Sequence, residues 1–212
     1  MTEVAETKQG RIARRQVDKF EARRTELAVS ALYTLAELGY ARTSLREIAQ
    51  NSEFSHGVLH YYFADKRDLI TQAVRQYEAV CVTRYDEVVA RASSAEQLRD
   101  EFVAMFFGTL ADDATLHRLW YDLRNQSLFD ESFRTDVLEI DEHREAMVWR
   151  VISRYAELRE GKPAMSSSAT YVTLDGLFQR ALLHHLTGLA ETVAQARAEL
   201  PDVLDQLVIS PK

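Results

Sequence analysis

Between Thr43 and Lys66 the sequence reads TSLREIAQNSEFSHGVLHYYFADK, and its caps and breaks leave that stretch few ways to fold. Ser44 followed three residues later by Glu47 forms a capping box, in which the hydroxyl accepts the Glu47 N–H and the carboxylate returns to the Ser44 N–H. A helix therefore starts at Ser44. Leu45, Ile48 and Ala49 share one face at the i, i+3, i+4 spacing, while Arg46, Glu47 and Gln50 point away. Asn51 and Ser52 break this helix, and Ser55 caps another whose inward face is Val58, Leu59, Tyr62 and Phe63. His56, Gly57, His60 and Tyr61 fall largely outside it. Asp65 caps a third helix and puts Lys66 at its first turn, where a cation and free N–H groups together suit a phosphate oxygen. Two short helices joined by a tight turn, with an outward edge of hydrogen-bonding and aromatic side chains, point to a DNA-binding module.

A net charge of −7 looks wrong for that purpose until it is divided along the chain. Residues 1–70 hold 11 Lys/Arg and 10 Asp/Glu, a balance of +1, and residues 71–212 hold 15 and 23, a balance of −8. Within residues 8–24 the local balance is +5, carried by Lys8, Arg11, Arg14, Arg15, Lys19, Arg23 and Arg24 against Asp18 and Glu21. Such an arm suits DNA phosphates or a minor groove, and a solvated tail is the alternative reading.

With 7 Gly and 3 Pro in 212 residues, and long stretches of Ala, Leu, Glu and Arg, an all-α chain is expected. At 46% hydrophobic it can bury a sizeable core in one or two domains. No apolar run approaches the roughly 18 residues of a membrane span, and the N-terminus lacks a signal peptide's apolar core. A cytoplasmic protein without membrane association follows. The single Cys81 cannot form an internal disulfide, which fits a reducing compartment.

Beyond residue 65 the pattern is one of helices and breaks. Leu69, Ile70, Ala73, Val74, Tyr77, Val80, Cys81, Tyr85, Val88 and Val89 keep helical period and predict one long connecting helix, the lever on which a signal would act. Ser93-Ser94 opens a helix that Asp112-Asp113 ends, and a short helix with Leu116, Leu119, Trp120 and Leu123 follows. Another starts near Asp130 and is closed by Gly161-Lys162-Pro163. Ser166 to Ser168 start the next, Thr187-Gly188 stop it, and the last runs from about Ala190 with Pro201 kinking or interrupting it.

The stretch from Arg24 to Ile70 resembles the N-terminal domain of TetR-family transcriptional regulators. Gly39-Tyr40, Thr43-Ser44, Ile48-Ala49, Ser55-x-Gly57-x-Leu59, Tyr62-Phe63, Lys66 and Leu69 carry the resemblance over about forty-five residues, the first third of the chain. Two positions depart from the family pattern. Ser52-Glu53 stands where the turn usually has a small residue and Gly, so Glu53 is expected in a left-handed conformation at about 1 kcal/mol. His60 stands where Tyr is usual.

The resemblance implies about nine helices: a three-helix head, a connector, and a body for ligand binding and dimerisation. It divides the chain into a flexible basic arm (1–21), a DNA-binding domain (22–68) and an effector and dimer domain (69–212). DNA-contact candidates are Ser44, Arg46, Ser55, His56, Gly57, Val58, His60, Tyr61, Tyr62 and Lys66, on a palindromic double-stranded operator. The effector is expected to be a small, largely apolar molecule with a polar or anionic group. Its candidate contacts are Phe102, Phe106, His117, Trp120, Arg124, Phe129, His143, Trp149, Tyr171, Asp175, Phe178 and Gln179. Aromatic residues at this spacing equally serve as ordinary core, and Arg124 equally serves in an ion pair with an acidic neighbour. Leu174, Leu177, Ala181, Leu182 and His185 are the candidates for a homodimer contact, with the chain's own core as the alternative.

His56 and His60 stand four apart, a metal-sharing spacing, yet no third ligand is evident, and no metal or other cofactor is expected. His184 and His185 point about 100° apart on a helix and cannot easily chelate one ion. No nucleophile elbow, phosphate-binding Gly loop or paired-Cys site appears, so an enzyme is not expected. The leading reading is a DNA-binding regulator, a repressor released by a small effector. The alternative is a helical protein-interaction module that keeps the fold and has lost DNA binding.

Overall fold

The computed structural model describes residues 8–210 and is almost wholly helical. Ten α-helices follow in order: α1 (Lys8–Leu38), α2 (Leu45–Gln50), α3 (His56–Tyr62), α4 (Lys66–Cys81), α5 (Asp86–Arg91), α6 (Ala95–Asp112), α7 (Ala114–Gln126), α8 (Arg134–Leu158), α9 (Ser167–Leu186) and α10 (Ala190–Gln206). The two residues of β1 (Lys162–Pro163) pair antiparallel with β2 (Val208–Ile209), Lys162 opposite Ile209 and Pro163 opposite Val208. Two compact units divide between Tyr77 and Glu78. Among the described residues no helix is long and apolar enough to cross a membrane.

In the first unit, Leu27, Ala28, Ala31 and Leu35 fall on one side of α1 and are fully buried together with Ile48, Leu59, Leu69, Ile70 and Ala73. Each buried Leu or Ile contributes roughly 1.5–3 kcal/mol, so this small cluster is what fixes α2 and α3. Gly39 ends α1 at φ 75° while its N–H reaches the Leu35 carbonyl at 2.8 Å, the left-handed stop that a residue without Cβ adopts cheaply.

Four expectations change at this level. Residues 8–21, expected as a separate flexible arm, are the first turns of α1, in keeping with their Arg, Lys, Gln and Ala content; residues 1–7 lie outside the described residues. Glu53 is not left-handed, since Glu160 is the one non-glycine residue with positive φ among the described residues. The turn closes instead through Ser52 Oγ, which accepts the Phe54 N–H at 3.3 Å, and Asn51 Nδ2, which donates to the Glu47 carbonyl at 2.8 Å. The predicted connector is two helices, because the chain turns at Val82–Tyr85 between α4 and α5. There Thr83 Oγ1 donates back to the Val80 carbonyl at 3.1 Å and the Tyr85 side chain is buried. The helix predicted from Asp130 begins as a 3-10 turn, Glu131–Phe133, capped by Asp130.

In the second unit α9 packs against α6, α7, α8 and α10. Phe102, Trp120, Ile152, Leu174, Ala181 and Leu182 are buried there. α10 continues through Pro201 rather than stopping at it. The β1–β2 pair is reinforced by Ala164 N–H on the Leu207 carbonyl at 2.8 Å and Arg159 Nε on Ser210 Oγ at 3.3 Å. Gly161 is required here, since a Cβ would collide with the Ile209 carbonyl oxygen.

Candidate functional site

The α2–α3 pair forms as its caps dictate. Ser44 Oγ accepts the Glu47 N–H at 3.2 Å and Ser55 Oγ accepts the Val58 N–H at 3.3 Å. Each cap contributes typically about 1 kcal/mol. Burial of Leu59 turns the opposite edge of α3 outward: His56, Gly57 and His60 are exposed, Tyr61 is 72% exposed, and Val58 and Tyr62 are half-buried. Arg46, Ser44 and Ser55 are exposed as well. The rings of Tyr61 and Tyr62 lie 6.0 Å and 4.8 Å from that of Phe20 on α1. Phe20 therefore orients the aromatic end of α3, a role hidden in sequence because Phe20 stands within the basic stretch.

His56 and His60 bring their Nε2 atoms to 3.1 Å, with one ring edge-on to the other. Among the described residues no group of three metal-ligating side chains exists. Lys66 at the start of α4 donates from Nζ to the Tyr40 carbonyl at 2.9 Å and sits 4.1 Å from the centre of the Tyr40 ring. An ammonium carries three donors, so this bond leaves capacity for a phosphate oxygen. Asp65 Oδ1 accepts the Asp68 N–H at 2.9 Å, and Asp68 pairs with Arg24 of α1.

In the second unit a cavity of about 60 Å³ opens among α4 to α9. Six of the twelve expected effector contacts line it: Phe102, Phe106, His117, Tyr171, Asp175 and Phe178. The other six do not. Phe129 lies past the end of α7 and is 87% exposed. His143 and Gln179 each neighbour a buried residue, Arg144 and Phe178, and the 100° step of a helix turns them to solvent. Trp149 is half-buried beside Val148. Trp120 is buried behind the wall, with the Arg144 guanidinium 4.6 Å from its ring centre. Arg124 pairs with Asp175 at 2.5 Å and Asp141 at 3.5 Å, the alternative that its acidic neighbours allowed.

Arg84, Tyr85, Thr109, Tyr121 and Arg144 are further lining groups that the sequence reading missed. Arg144 was detectable, because it interrupts the buried series Val137, Ile140, Val148, Val151 of α8. Its match is Glu78, which interrupts the stripe of α4 in the same way; Arg144 Nε donates to Glu78 at 2.9 Å and a second nitrogen donates to the other carboxylate oxygen. Burial opposes the Arg144 charge, but the adjacent Glu78 carboxylate more than offsets it and raises the Arg144 pKa. His117 meets Thr109 Oγ1 at 3.0 Å; burial, with Arg144 and Arg84 nearby, pushes its pKa down to about 3, so the ring is neutral. Burial and the neighbouring carboxylates hold the Tyr121 and Tyr171 phenols in their protonated form.

Of the expected dimer contacts, Ala181 and Leu182 are buried in the chain's own core and Leu174 lines the cavity; Leu177 is half-buried and His185 exposed. The outward stripe of α9 is set one step around the helix, through Val172, Gly176, Gln179, Leu183 and Leu186, all exposed.

Residues 23–73 match the family described as bacterial regulatory proteins, tetR family. The chain is 26% identical over 166 residues to the HTH-type transcriptional regulator BetI of Burkholderia ambifaria, covering 77% of this chain and 84% of BetI. It is 25% identical over 154 residues to the HTH-type transcriptional repressor KstR2 of Mycobacterium tuberculosis, covering 60% and 76%. A crystal structure of a TetR transcription regulator from Haloarcula marismortui shares the fold with a TM-score of 0.70 at 20% identity, covering 89% of this chain and 100% of that one. The capped helix pair and the matched domain agree: residues 23–73 form a domain of the tetR family of bacterial regulatory proteins, and the chain as a whole is similar to transcriptional regulators that carry it.

Proposed function

We propose that this regulator is a cytoplasmic repressor that holds a palindromic operator as a homodimer and releases it when a small molecule occupies the cavity. The DNA-binding region of this reading is residues 22–68, and residues 69–212 serve effector binding and dimerisation. The observation that carries it is the uncovered edge of α3, where His56, His60 and Tyr61 stand exposed on a helix whose other side is anchored by buried Leu59. A helix of this kind fits a major groove, with His56, Val58 and Tyr61 toward base edges and Ser44, Tyr62 and Lys66 toward phosphates. Arg46, Ser55, Gly57 and His60 complete the contact surface. KstR2, by its name a transcriptional repressor, supports the sign of the regulation.

A two-fold operator asks for two heads at a fixed spacing, with half-sites about 34–36 Å apart. The exposed stripe Val172, Gly176, Gln179, Leu183 and Leu186 suits a self-complementary contact between two copies of α9, and a Cβ at Gly176 would meet nothing within 4 Å, which leaves room for close approach. An effector that favours the DNA-incompetent state about 100-fold changes operator affinity by roughly 2.7 kcal/mol, enough for a switch.

The test is a fluorescence-anisotropy titration of the purified chain against duplexes from the DNA flanking its gene. A two-fold symmetric duplex should bind far more tightly than scrambled DNA, and Tyr61→Ala should abolish the difference. Binding that never exceeds the salt-sensitive background for any duplex would leave the interaction-module reading standing instead.

A further inference from the structure

Every charge on the cavity wall already has an opposite charge in contact. Arg144 is held by Glu78, Arg84 by Asp113 at 2.8 Å, and Asp175 by Arg124 at 2.5 Å. His117 is neutral and the Tyr121 hydroxyl donates to Asp175 at 2.8 Å. An ionised ligand would leave water for a largely apolar, part-buried space and find no unmatched counter-charge on the wall, and burying a lone charge is strongly unfavourable.

Tyr85 offers the wall a polar group of another kind, a hydroxyl. Tyr85 lines the cavity, is 5% exposed, and its hydroxyl makes no hydrogen bond among the described residues. Its ring lies 4.8 Å from that of Phe102 and is fixed by it. From Phe102 the wall continues through Phe106, Phe178 and His117 with successive ring centres 5.7, 4.9 and 4.6 Å apart. Edge and face contacts of this kind favour a flat, polarisable guest. The volume of about 60 Å³ corresponds to roughly four to six water spheres, so the guest is compact, on the scale of a single ring.

We propose that the cavity takes a compact, uncharged aromatic molecule whose one polar atom is hydrogen-bonded by the Tyr85 hydroxyl. The assignment rests on the reading of the cavity as the effector site, and of the expected polar or anionic group it takes the neutral, polar alternative. A phenol or a small aromatic ketone has this chemistry. Benzoate lacks the neutrality, toluene lacks the polar atom, and a long alkyl chain lacks the size.

The experiment uses the full chain in calorimetric titrations with phenol, toluene, benzoate, benzylamine and 1-octanol, alongside operator-release assays with the same probes. Phenol is expected to bind at least about tenfold more tightly than benzoate or benzylamine, and 1-octanol to bind weakly. Tyr85→Phe removes a hydroxyl that bonds no protein group, so the variant should fold as the parent does. It should weaken phenol roughly tenfold, the loss of one hydrogen bond, and leave toluene unchanged. Benzoate binding as tightly as phenol, phenol binding that ignores Tyr85→Phe, or no binding by any neutral ring would each overturn the assignment. Tyr85-dependent phenol binding that leaves operator affinity unmoved supports the ligand class and defeats the effector reading. Operator release by benzoate or benzylamine keeps the effector reading and defeats the class.

Discussion

Arg144 of α8 and Glu78 in the last turn of α4 meet through two nitrogens and two oxygens, and both side chains are almost completely buried. Arg144 lines the cavity and Glu78 holds it there, each satisfying a group that could not be buried singly. Replacing either partner strands the other. Arg144→Met or Glu78→Gln should each cost about 3–5 kcal/mol in urea unfolding, and the double replacement Glu78→Leu with Arg144→Met should cost less than the sum of the two. Additive losses would mean the two side chains act independently.

Lys66 should report the phosphate backbone. Lys66→Ala is expected to weaken binding to every duplex alike and to lower the slope of log affinity against log salt by about 1. Because Lys66 also ties α4 to the Tyr40 carbonyl, the melting temperature should be recorded beside it. His56→Ala should instead relax preference at one base pair. An unchanged salt slope for Lys66→Ala would rule out this docking.

The dimer prediction now falls on Leu183, which is 60% exposed on α9, rather than on its buried neighbour Leu182. Leu183→Glu repeats a charge across a two-fold axis and should give monomers in sedimentation with the fold intact, and operator affinity should fall with it. Leu182→Glu puts the charge into the protomer's own core and should unfold the protein. A folded Leu183→Glu dimer would place the interface elsewhere.

Acid should act partly through His117. Its pKa is depressed to about 3 in the folded chain against 6.5 otherwise, so the unfolded chain binds the extra proton between those values. Stability should therefore fall as pH is lowered from about 6.5 towards 3, by an amount on the order of a few kcal/mol for this group. His117→Gln cannot titrate and should show a shallower decline than the parent in pH-dependent melts. Parallel curves would show that His117 does not contribute.

The head was legible because its signals are local. Ser44, Ser55 and Asp65 act within three residues of themselves, and Gly39 ends α1 without help from distant parts. The cavity was half legible for the opposite reason. Periodicity finds the apolar face of each helix and so found Phe102, Phe106 and Phe178, but it cannot tell which point on that face borders a void. Trp120 and Phe102 look alike in sequence, and Trp120 is sealed behind the guanidinium of Arg144. Periodicity makes Tyr85 one more position on a continuous helix; the turn at Val82–Tyr85 is braced by contacts that Arg84 makes with Thr109 and Asp113, 25 and 29 residues away. Leu182 and Leu183 differ by a single 100° step, and an apolar residue on either side of a helix gives the same composition.

The small clasp of β1 and β2 matters for anyone who handles this protein. Val208 and Ile209 are held against Lys162 and Pro163, and Ser210 is tied to Arg159, so the segment just after α10 is wired to the loop that launches α9. A purification tag or fluorescent reporter fused directly after Ser210 would pull on that loop, and through it on the helix proposed to face a second copy. A spacer, or fusion at the other end, keeps an assembly assay from measuring its own label.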